Sequence, residues 1–394
     1  MPHLGTLEQQ ILSSGTLAIK ALAGELKRAG KEIIEFTAGE PDFPTPEKVK
    51  RAAVQAIQDD FTHYTAADGI LELREAICDK LKKDNGLDYS PNQVIVTNGA
   101  KHAIVEALQV IINPGDEVLI PAPYWTSYPE QVKLCYGVPV IVDVFESNFK
   151  MTPEKLEQSL TAKTKAIILN SPGNPTGAVY TESEIRALGE VLKGKNVYVI
   201  SDEIYEKIIF DGLRHFSIAQ MDELYEQTIV INGFSKAYAM TGWRVGYAAG
   251  PERVIKAIKK FQGHQTSNVN SIAQKACLAA LTDQDVEKDV KQMQLHFEKR
   301  RNLICDMMKQ NEHIALNIPS GAFYVFPDMK FFMDKLQTDS MGLVKKIIED
   351  AGIVTVPGDA FGAPGYIRFS YATSEEEIAR GIGRFLDTLE KLGK

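Results

Sequence analysis

The sequence has few of the residues that cross-link small secreted proteins or ligate metals. Its 394 residues include four cysteines, which lie far apart and form no Cys-X-X-Cys pair: Cys78, Cys135, Cys277 and Cys305. This spacing excludes a disulfide framework and a cysteine zinc site, and it indicates a reducing compartment. The seven histidines show no metal-ligand spacing, so no metal site is expected.

Long apolar runs and basic blocks are also missing. No segment approaches the ~18 apolar residues that a membrane span requires, and no Lys or Arg precedes Lys20, which argues against a secretory signal. Asp and Glu outnumber Lys and Arg by 52 to 44, a net charge of -8, which argues against nucleic acid as a partner. Residues 189–195 outline a P-loop, but Asn196 stands where Ser or Thr would hold magnesium. We therefore expect a soluble cytoplasmic protein without membrane or nucleic-acid partners.

What the sequence does contain is the pattern of an α/β protein. Short apolar runs alternate with amphipathic stretches, which predicts βαβ units and a largely parallel sheet. The predicted buried strands are residues 94–97, 117–120, 138–144, 166–169 and 197–200. The helices predicted between them are residues 100–112, 128–134, 152–160 and 181–192. Two helix starts are also indicated, by Thr45 as the cap before Pro46 and by Thr181 with Glu184 as a capping box.

The pattern changes after about residue 284, where a long charged helix, short strands and a final helix follow. This change predicts a second, smaller α+β domain, which the N-terminal segment joins. The predicted division is an N-terminal arm at residues 1–15, a small domain at 16–45 and 284–394, and a large domain at 46–283.

Four polar segments lie where strands or turns lead into the next element: residues 97–101, 170–177, 201–205 and 232–244. Ligands of an open α/β sheet bind beyond the carboxyl ends of its strands, so these segments should converge. Small residues at Gly99 and Ala100 leave N–H groups at a helix start for a phosphate. Asp202 is a buried acid that needs a cationic partner, and Lys236 can capture a carbonyl group. A ligand with a phosphate, a cationic ring nitrogen and a carbonyl matches this set, and that ligand is pyridoxal 5′-phosphate.

With these motifs the chain resembles the class I aminotransferases of fold type I, and in particular their bacterial aspartate aminotransferase-like branch. The resemblance runs from about residue 10 to the end, and further segments carry it: residues 37–43, Tyr64 followed by Gly69, residues 123–125, residues 320–324 and Arg368 within residues 366–371. It implies the fold of the pyridoxal-phosphate-dependent transferases, with a mostly parallel sheet in a large domain plus a smaller α+β domain. It also implies a homodimer with shared active sites.

The resemblance implies roles for the residues around the cofactor ring. Lys236 would bind the cofactor covalently and shuttle a proton. Asp202 would pair with the pyridine nitrogen, while Asn174 and Tyr205 would hydrogen-bond the ring hydroxyl oxygen. Because Asp202 and Tyr205 are three residues apart, a continuing strand would point them to opposite faces, so we expect the chain to leave strand geometry there.

It also implies which residues bind the phosphate and the substrate. Trp125 would stack on the pyridine ring, and Arg368 would clamp the substrate α-carboxylate, with help from Gly39 and Asn174. The residues expected at the phosphate are Gly99, Ala100, Lys101, Ser235, Arg244 and Tyr64 of a neighbouring subunit. Gly233 stands where some relatives have a phosphate-binding serine, and no arginine matches the one that binds a distal carboxylate in animal-type enzymes. In the bacterial branch a lysine does that work, and Lys101 fits.

The function expected from the resemblance is ping-pong transfer of an amino group, most simply between aspartate and 2-oxoglutarate. Rival substrates are aromatic amino acids, kynurenine and prephenate, and a rival reaction on the same scaffold is that of a C–S β-lyase. A non-catalytic regulator that fuses this fold to a DNA-binding domain is disfavoured, because an arm of ~15 residues leaves no room for a helix-turn-helix.

Overall fold

The strands are described first because their ends position the site. A computed structural model describes residues 4–12 and 15–393 of the chain. Its strands are β1 (Ile34–Glu35), β2 (Val94–Thr97), β3 (Glu117–Ala122), β4 (Val138–Asp143), β5 (Thr164–Asn170), β6 (Tyr198–Asp202), β7 (Thr228–Gly233), β8 (Gly246–Ala249), β9 (Tyr324–Val325), β10 (Ile353–Val354), β11 (Val356–Pro357) and β12 (Ile367–Ser370).

Seven of these strands form the central sheet, in the order β2-β8-β7-β6-β5-β3-β4. Neighbours run parallel except that β8 is antiparallel to both β2 and β7. The sheet is buried on both faces, which is why its strands are continuous apolar runs. The predicted α/β fold with a mostly parallel sheet is confirmed. The predicted set of strands was incomplete, because it lacked β7 and β8.

Helices cover both faces of this sheet and continue beyond it. They are α1 (Gly15–Arg28), α2 (Glu47–Gln58), α3 (Leu71–Asn85), α4 (Ala100–Ile111), α5 (Ser127–Leu134), α6 (Pro153–Ser159), α7 (Glu182–Leu192), α8 (Asp222–Tyr225), α9 (Glu252–Gln265), α10 (Ser271–Thr282), α11 (Gln284–Met308), α12 (Lys330–Leu336), α13 (Ser340–Ala351) and α14 (Glu375–Gly393). Helices α4 and α9 share one apolar core with the sheet, and α6 and α7 share another on the opposite side. In the part of the chain that is described, none of these helices combines the length and apolarity needed to cross a membrane.

A second group of elements surrounds two small sheets. Strands β11, β12 and β9 form an antiparallel sheet, and β1 pairs in parallel with β10. Their core joins early residues such as Phe36 to late ones such as Phe369 and Phe385. It also takes in Tyr205, from the turn after β6. The predicted domain boundaries stay a prediction, and the predicted arm lies partly outside the described residues, with α1 beginning at Gly15.

Candidate active site

A cavity of about 1250 Å³ opens at the carboxyl ends of the central strands. Most of the predicted site residues line it: Gly39, Ala100, Lys101, Trp125, Asn174, Asp202, Tyr205, Ser235, Lys236, Arg244 and Arg368. Gly99 is not among the lining residues, and it lies beneath the Arg244 guanidinium. Tyr64 does not line the cavity of its own chain, and its side chain is 88% exposed. The topology therefore brings together residues that are up to about 330 positions apart in sequence, as expected for strand ends that share one edge.

The start of α4 and the Arg244 guanidinium form a pocket for an anion. Gly99 caps α4 with φ +85°, and a Cβ on it would lie 2.5 Å from Arg244 Nη2. Gly246, at the start of β8, packs closely against the start of α4. A Cβ on Gly246 would lie 2.3 Å from the Ala100 nitrogen. A helix start leaves its first N–H groups unpaired, and together with a guanidinium they suit a phosphate group.

Asp202 is the last residue of β6 and is held by two donors. Tyr128 donates its hydroxyl hydrogen to Asp202 Oδ2 over 2.6 Å, and the Ile204 N–H donates to Oδ1 over 3.3 Å. Burial raises the pKa of Asp202 to about 6, and both donors oppose that rise. The chain leaves strand geometry directly after Asp202, as predicted. A buried carboxylate at this depth suits a protonated ring nitrogen as its partner.

Lys236 follows β7 and reaches into the cavity, where its Nζ donates to the Gly39 carbonyl. Burial lowers the pKa of Lys236 to about 8. The Glu40 carboxylate raises that pKa, while the positive charge of Arg244 lowers it further. An amine with a pKa near 8 is partly unprotonated close to neutral pH, so it can act as a nucleophile or a base.

Arg368 on β12 is buried and rigidly held. Its Nη1 donates to Asn174 Oδ1 over 3.0 Å, and its Nη2 donates to the Thr37 carbonyl over 2.9 Å. The guanidinium contacts two aromatic rings, 4.5 Å from the centroid of Tyr324 and 4.9 Å from that of Phe361. Its Nε has no hydrogen-bond partner among the described residues. A fixed guanidinium with a spare donor suits a carboxylate.

Sequence reasoning assigned no role to two tyrosines of the site. Tyr128 binds Asp202, and the Tyr324 hydroxyl lies 2.8 Å from the Tyr205 hydroxyl. Tyr324 stands in residues 320–324, which helped to carry the resemblance, but nothing in that segment shows which group it touches. Tyr128 stands three residues after Trp125, and their rings meet edge to face at 5.3 Å. Both contacts depend on tertiary packing that no local pattern reports.

Five cations and four carboxylates line the cavity, which leaves a small surplus of positive charge. The Lys101 Nζ lies over the Trp125 ring, 4.8 Å from its centroid. Four lining cations form no ion pair with a carboxylate of the described chain: Lys101, Lys236, Arg244 and Arg368. Lys133, which also lines the cavity, pairs with Glu130 at 2.9 Å. An anionic ligand would offset this surplus.

The residues present fit pyridoxal 5′-phosphate. The pocket at Gly99 has room for no Cβ and offers N–H groups and a guanidinium to a phosphate. Asp202 offers a buried carboxylate to a ring nitrogen, and Lys236 offers an amine to an aldehyde. These three features line one cavity.

Comparisons with known proteins agree with this geometry. The family model described as "Aminotransferase class I and II" matches residues 31–385. An aspartate aminotransferase of Geobacillus stearothermophilus is 48% identical over 374 residues, which cover 94% of this chain and 95% of that protein. A probable aspartate/prephenate aminotransferase of Rhizobium leguminosarum bv. phaseoli is 45% identical, with 98% and 99% of the two chains covered. A solved double mutant of the Thermus thermophilus aspartate aminotransferase superposes with a TM-score of 0.93 at 41% identity, covering 98% of this chain and 99% of that one.

Proposed function

The chain belongs to the class I and II aminotransferases, as the motifs predicted, and from that membership we propose that it transfers an amino group between aspartate and 2-oxoglutarate with pyridoxal 5′-phosphate as its cofactor. One observation carries the proposal. A single cavity holds a buried acid, an amine of lowered pKa and three further cations without carboxylate partners in the described chain. That set matches a cofactor with one phosphate and a substrate with two carboxylates.

We propose that the chain's own residues hold the cofactor in one orientation. Arg244, Ser235 and the start of α4 bind the phosphate, and Asp202, fixed by Tyr128, keeps the ring nitrogen protonated. Asn174 and Tyr205 donate hydrogen bonds to the ring oxygen, and Trp125 stacks on the ring. When bound, the cofactor supplies an electron sink for the bonds at the substrate α-carbon.

The substrate is positioned by charge. Arg368 binds the α-carboxylate through its fixed guanidinium, with the Gly39 backbone alongside. Lys101 binds the distal carboxylate, because it is a lining cation without a carboxylate partner among the described residues. Lys236 would take the proton of the α-carbon and hold it at its Nζ, which its pKa of about 8 permits.

A second substrate class has an observation in its favour. The Rhizobium relative is named for both aspartate and prephenate, and aromatic rings of Tyr124, Trp125 and Phe361 line the cavity here. Steady-state rates with a panel of amino donors and 2-oxoglutarate as acceptor would rank these substrates. The panel should include aspartate, phenylalanine, kynurenine and the amino acid that corresponds to prephenate. A C–S β-lyase would instead release a thiol, pyruvate and ammonia without needing a 2-oxo acid.

Labelling and replacement of Lys236 test whether the cofactor binds covalently at this site. Borohydride reduction of the holoenzyme followed by peptide mapping should place the cofactor label on Lys236. Lys236→Ala should lose the protein-linked absorption band and nearly all turnover while it keeps its fold. Lys207→Ala is a matched control, because Lys207 pairs with Asp84 on the surface at 2.6 Å. A label on any other lysine would contradict the assignment.

We also propose a cytoplasmic homodimer in which Tyr64 completes the phosphate site of the partner. Its 88% exposure and its position away from its own cavity support this. Large apolar side chains of α2, of the start of α3 and of α9 are exposed as well: Val54, Ile57, Leu71 and Phe261. A second copy covering them would bury apolar surface, the dominant favourable term in association.

A further inference from the structure

Tyr324 contacts two site residues at once, through two different parts of its side chain. Its hydroxyl lies 2.8 Å from the Tyr205 hydroxyl. The face of its ring lies under the Arg368 guanidinium, 4.5 Å from the ring centroid. The side chain is fully buried, so both contacts are made in a medium of low dielectric constant, where they are stronger than in water.

The backbone fixes this arrangement. Strand β9 pairs with β12 so that Tyr324 lies opposite Ser370. Arg368 lies two residues before Ser370 in β12. Such diagonal neighbours on one face of a sheet are within reach of long and aromatic side chains. The guanidinium also lies over the Phe361 ring at 4.9 Å, and it donates to Asn174 Oδ1 and the Thr37 carbonyl. These contacts hold the guanidinium beside Tyr324.

We propose that Tyr324 is a positioning residue that links the α-carboxylate clamp, Arg368, to the Tyr205 hydroxyl, so that a carboxylate bound at Arg368 changes how strongly Tyr205 stabilises the cofactor ring oxygen. This inference rests on the proposed function, which places the cofactor oxygen at Tyr205 and the substrate carboxylate at Arg368. It assigns to this tyrosine a role that its place in the motif at residues 320–324 leaves open.

The direction of the effect follows from the hydrogen bonds. A phenol has one hydrogen, so when Tyr205 donates to the ring oxygen, the bond between the two tyrosines must be donated by Tyr324. Burial raises the pKa of both phenols, and the Arg368 charge opposes that rise in each. A bound carboxylate offsets the Arg368 charge, which makes both hydroxyls poorer donors. The anionic ring oxygen is then less stabilised by hydrogen bonds. The pKa that is read from the absorbance of the cofactor bound at Lys236, the chromophore, therefore rises.

Other charged groups act on the same site and must be held constant. The Asp202 carboxylate raises the pKa of Tyr205. Glu40, Arg244, Arg368 and Asp202 all act on Lys236. Asn174 is a second link, because it accepts from Arg368 Nη1 over 3.0 Å and is proposed to donate to the same ring oxygen. None of these groups is altered when the Tyr324 hydroxyl alone is removed, so the part of the carboxylate response that Tyr324→Phe removes reports on the Tyr324 link.

The test is an absorbance titration of the holoenzyme against pH, with and without saturating succinate as a non-reactive dicarboxylate. In the unmodified protein succinate should raise the chromophore pKa. In Tyr324→Phe that rise should fall to about half or less. Tyr371→Phe is the matched control, because Tyr371 is equally buried in the same core but donates its hydroxyl to the Ala322 carbonyl over 3.1 Å. It should keep the full rise.

A double-mutant cycle sharpens the result. If the link passes through Tyr205, adding Tyr324→Phe to Tyr205→Phe should change the succinate response no further. An unchanged rise in Tyr324→Phe would overturn the proposal. Loss of the fold or of cofactor binding in Tyr324→Phe but not in Tyr371→Phe would also overturn it, since the hydroxyl would then be structural. Failure of the proposed function is distinct, because the unmodified protein would then show no cofactor band.

Discussion

Single residues set the charge of the cavity, and Lys101 is the one on which the proposed choice of substrate rests. Arg244 and Arg368 are expected to meet the cofactor phosphate and the α-carboxylate, and Lys236 the cofactor itself. Lys101 remains for a further anionic group. Its position over the Trp125 ring, 4.8 Å from the centroid, is a cation–π contact worth about 0.5–2 kcal/mol. A distal carboxylate can compete for the ammonium because a charge-assisted hydrogen bond is worth about 1.5–3 kcal/mol.

Lys101→Met should therefore lower kcat/KM for aspartate by about 10- to 150-fold while kcat/KM for phenylalanine changes far less. The physical reason is that only aspartate brings a second carboxylate to the ammonium. The measurement is steady-state kinetics with both donors at saturating cofactor. Lys133→Met is the control, because Lys133 lines the same cavity but is already paired with Glu130. Equal losses on both donors would assign Lys101 to the phosphate instead.

The sequence predicted residues whose role follows from their chemical type near a strand end. Asp202 and Lys236 are charged groups next to apolar runs, where a charge is almost never buried without a partner. Arg368, within β12, was assigned through the resemblance alone. Tyr128 and Tyr324 could not be found in this way, because a tyrosine in a helix or strand usually packs in a core. Their roles arise from partners that lie 74 and 119 positions away.

At the scale of elements, α4 combines a functional end with an unusual interior. Its first turn faces the phosphate pocket, and Glu106 follows nearly two turns later. Glu106 is fully buried, and neither carboxyl oxygen has a hydrogen-bond partner in the described chain. His102 Nε2 lies 3.6 Å from Oε1. Burial raises the pKa of Glu106 to about 8.

Glu106→Gln should stabilise the protein above neutral pH. The folded state holds the Glu106 proton more tightly than the unfolded state does, with a pKa of about 8 against 4.5. The contribution of Glu106 to stability is therefore full below about pH 4.5, falls as the pH rises toward 8, and levels off above it. The whole loss is about 5 kcal/mol, of which roughly 3 kcal/mol falls between pH 6 and pH 9. Urea unfolding at pH 6 and pH 9 should show this loss in the unmodified protein and a smaller one in Glu106→Gln. An equal loss in both would contradict the assignment to Glu106.

The elements themselves were predictable where packing and local pattern agree. The capping box of Thr181 and Glu184 is present at the start of α7, because both partners lie within one turn. The interpretation of Thr45 as a cap was wrong. Pro46 takes that position at α2, and the Thr45 hydroxyl donates to the Ala239 carbonyl over 2.7 Å. The Thr45 oxygen accepts from the Trp243 Nε1–H over 3.0 Å, so a distant donor takes the place of the helix N–H groups that a cap would bind. Strand β8, with the sequence Gly-Tyr-Ala-Ala, carries little β-propensity and forms because β2 and β7 pair with it on either side.

At the scale of the whole molecule, the exposed region around Tyr64 is the feature that a single chain leaves unexplained. Tyr64 is 88% exposed in the loop between α2 and α3, and it does not line the cavity of its own chain. An isologous dimer would place each Tyr64 against the partner by symmetry. The sharing of the site between two subunits was implied only by the family resemblance. A sequence pattern does not show whether a side chain contributes to the site of its own chain or to that of a partner.

Mixing two impaired variants tests whether the site is shared. Tyr64→Ala lacks the donor at the partner's phosphate, and Lys236→Ala lacks the amine in its own cavity. A hybrid dimer has one site with neither residue and one site with both, so an equal mixture after subunit exchange should recover about a quarter of the unmodified activity. Native mass spectrometry verifies that hybrids form. Tyr136→Ala is the matched control: Tyr136 is 64% exposed and lies outside the cavity, so its loss should leave activity intact. Hybrids that form without any gain over the two parents would show that each chain completes its own site, and would leave Tyr64 without its proposed role.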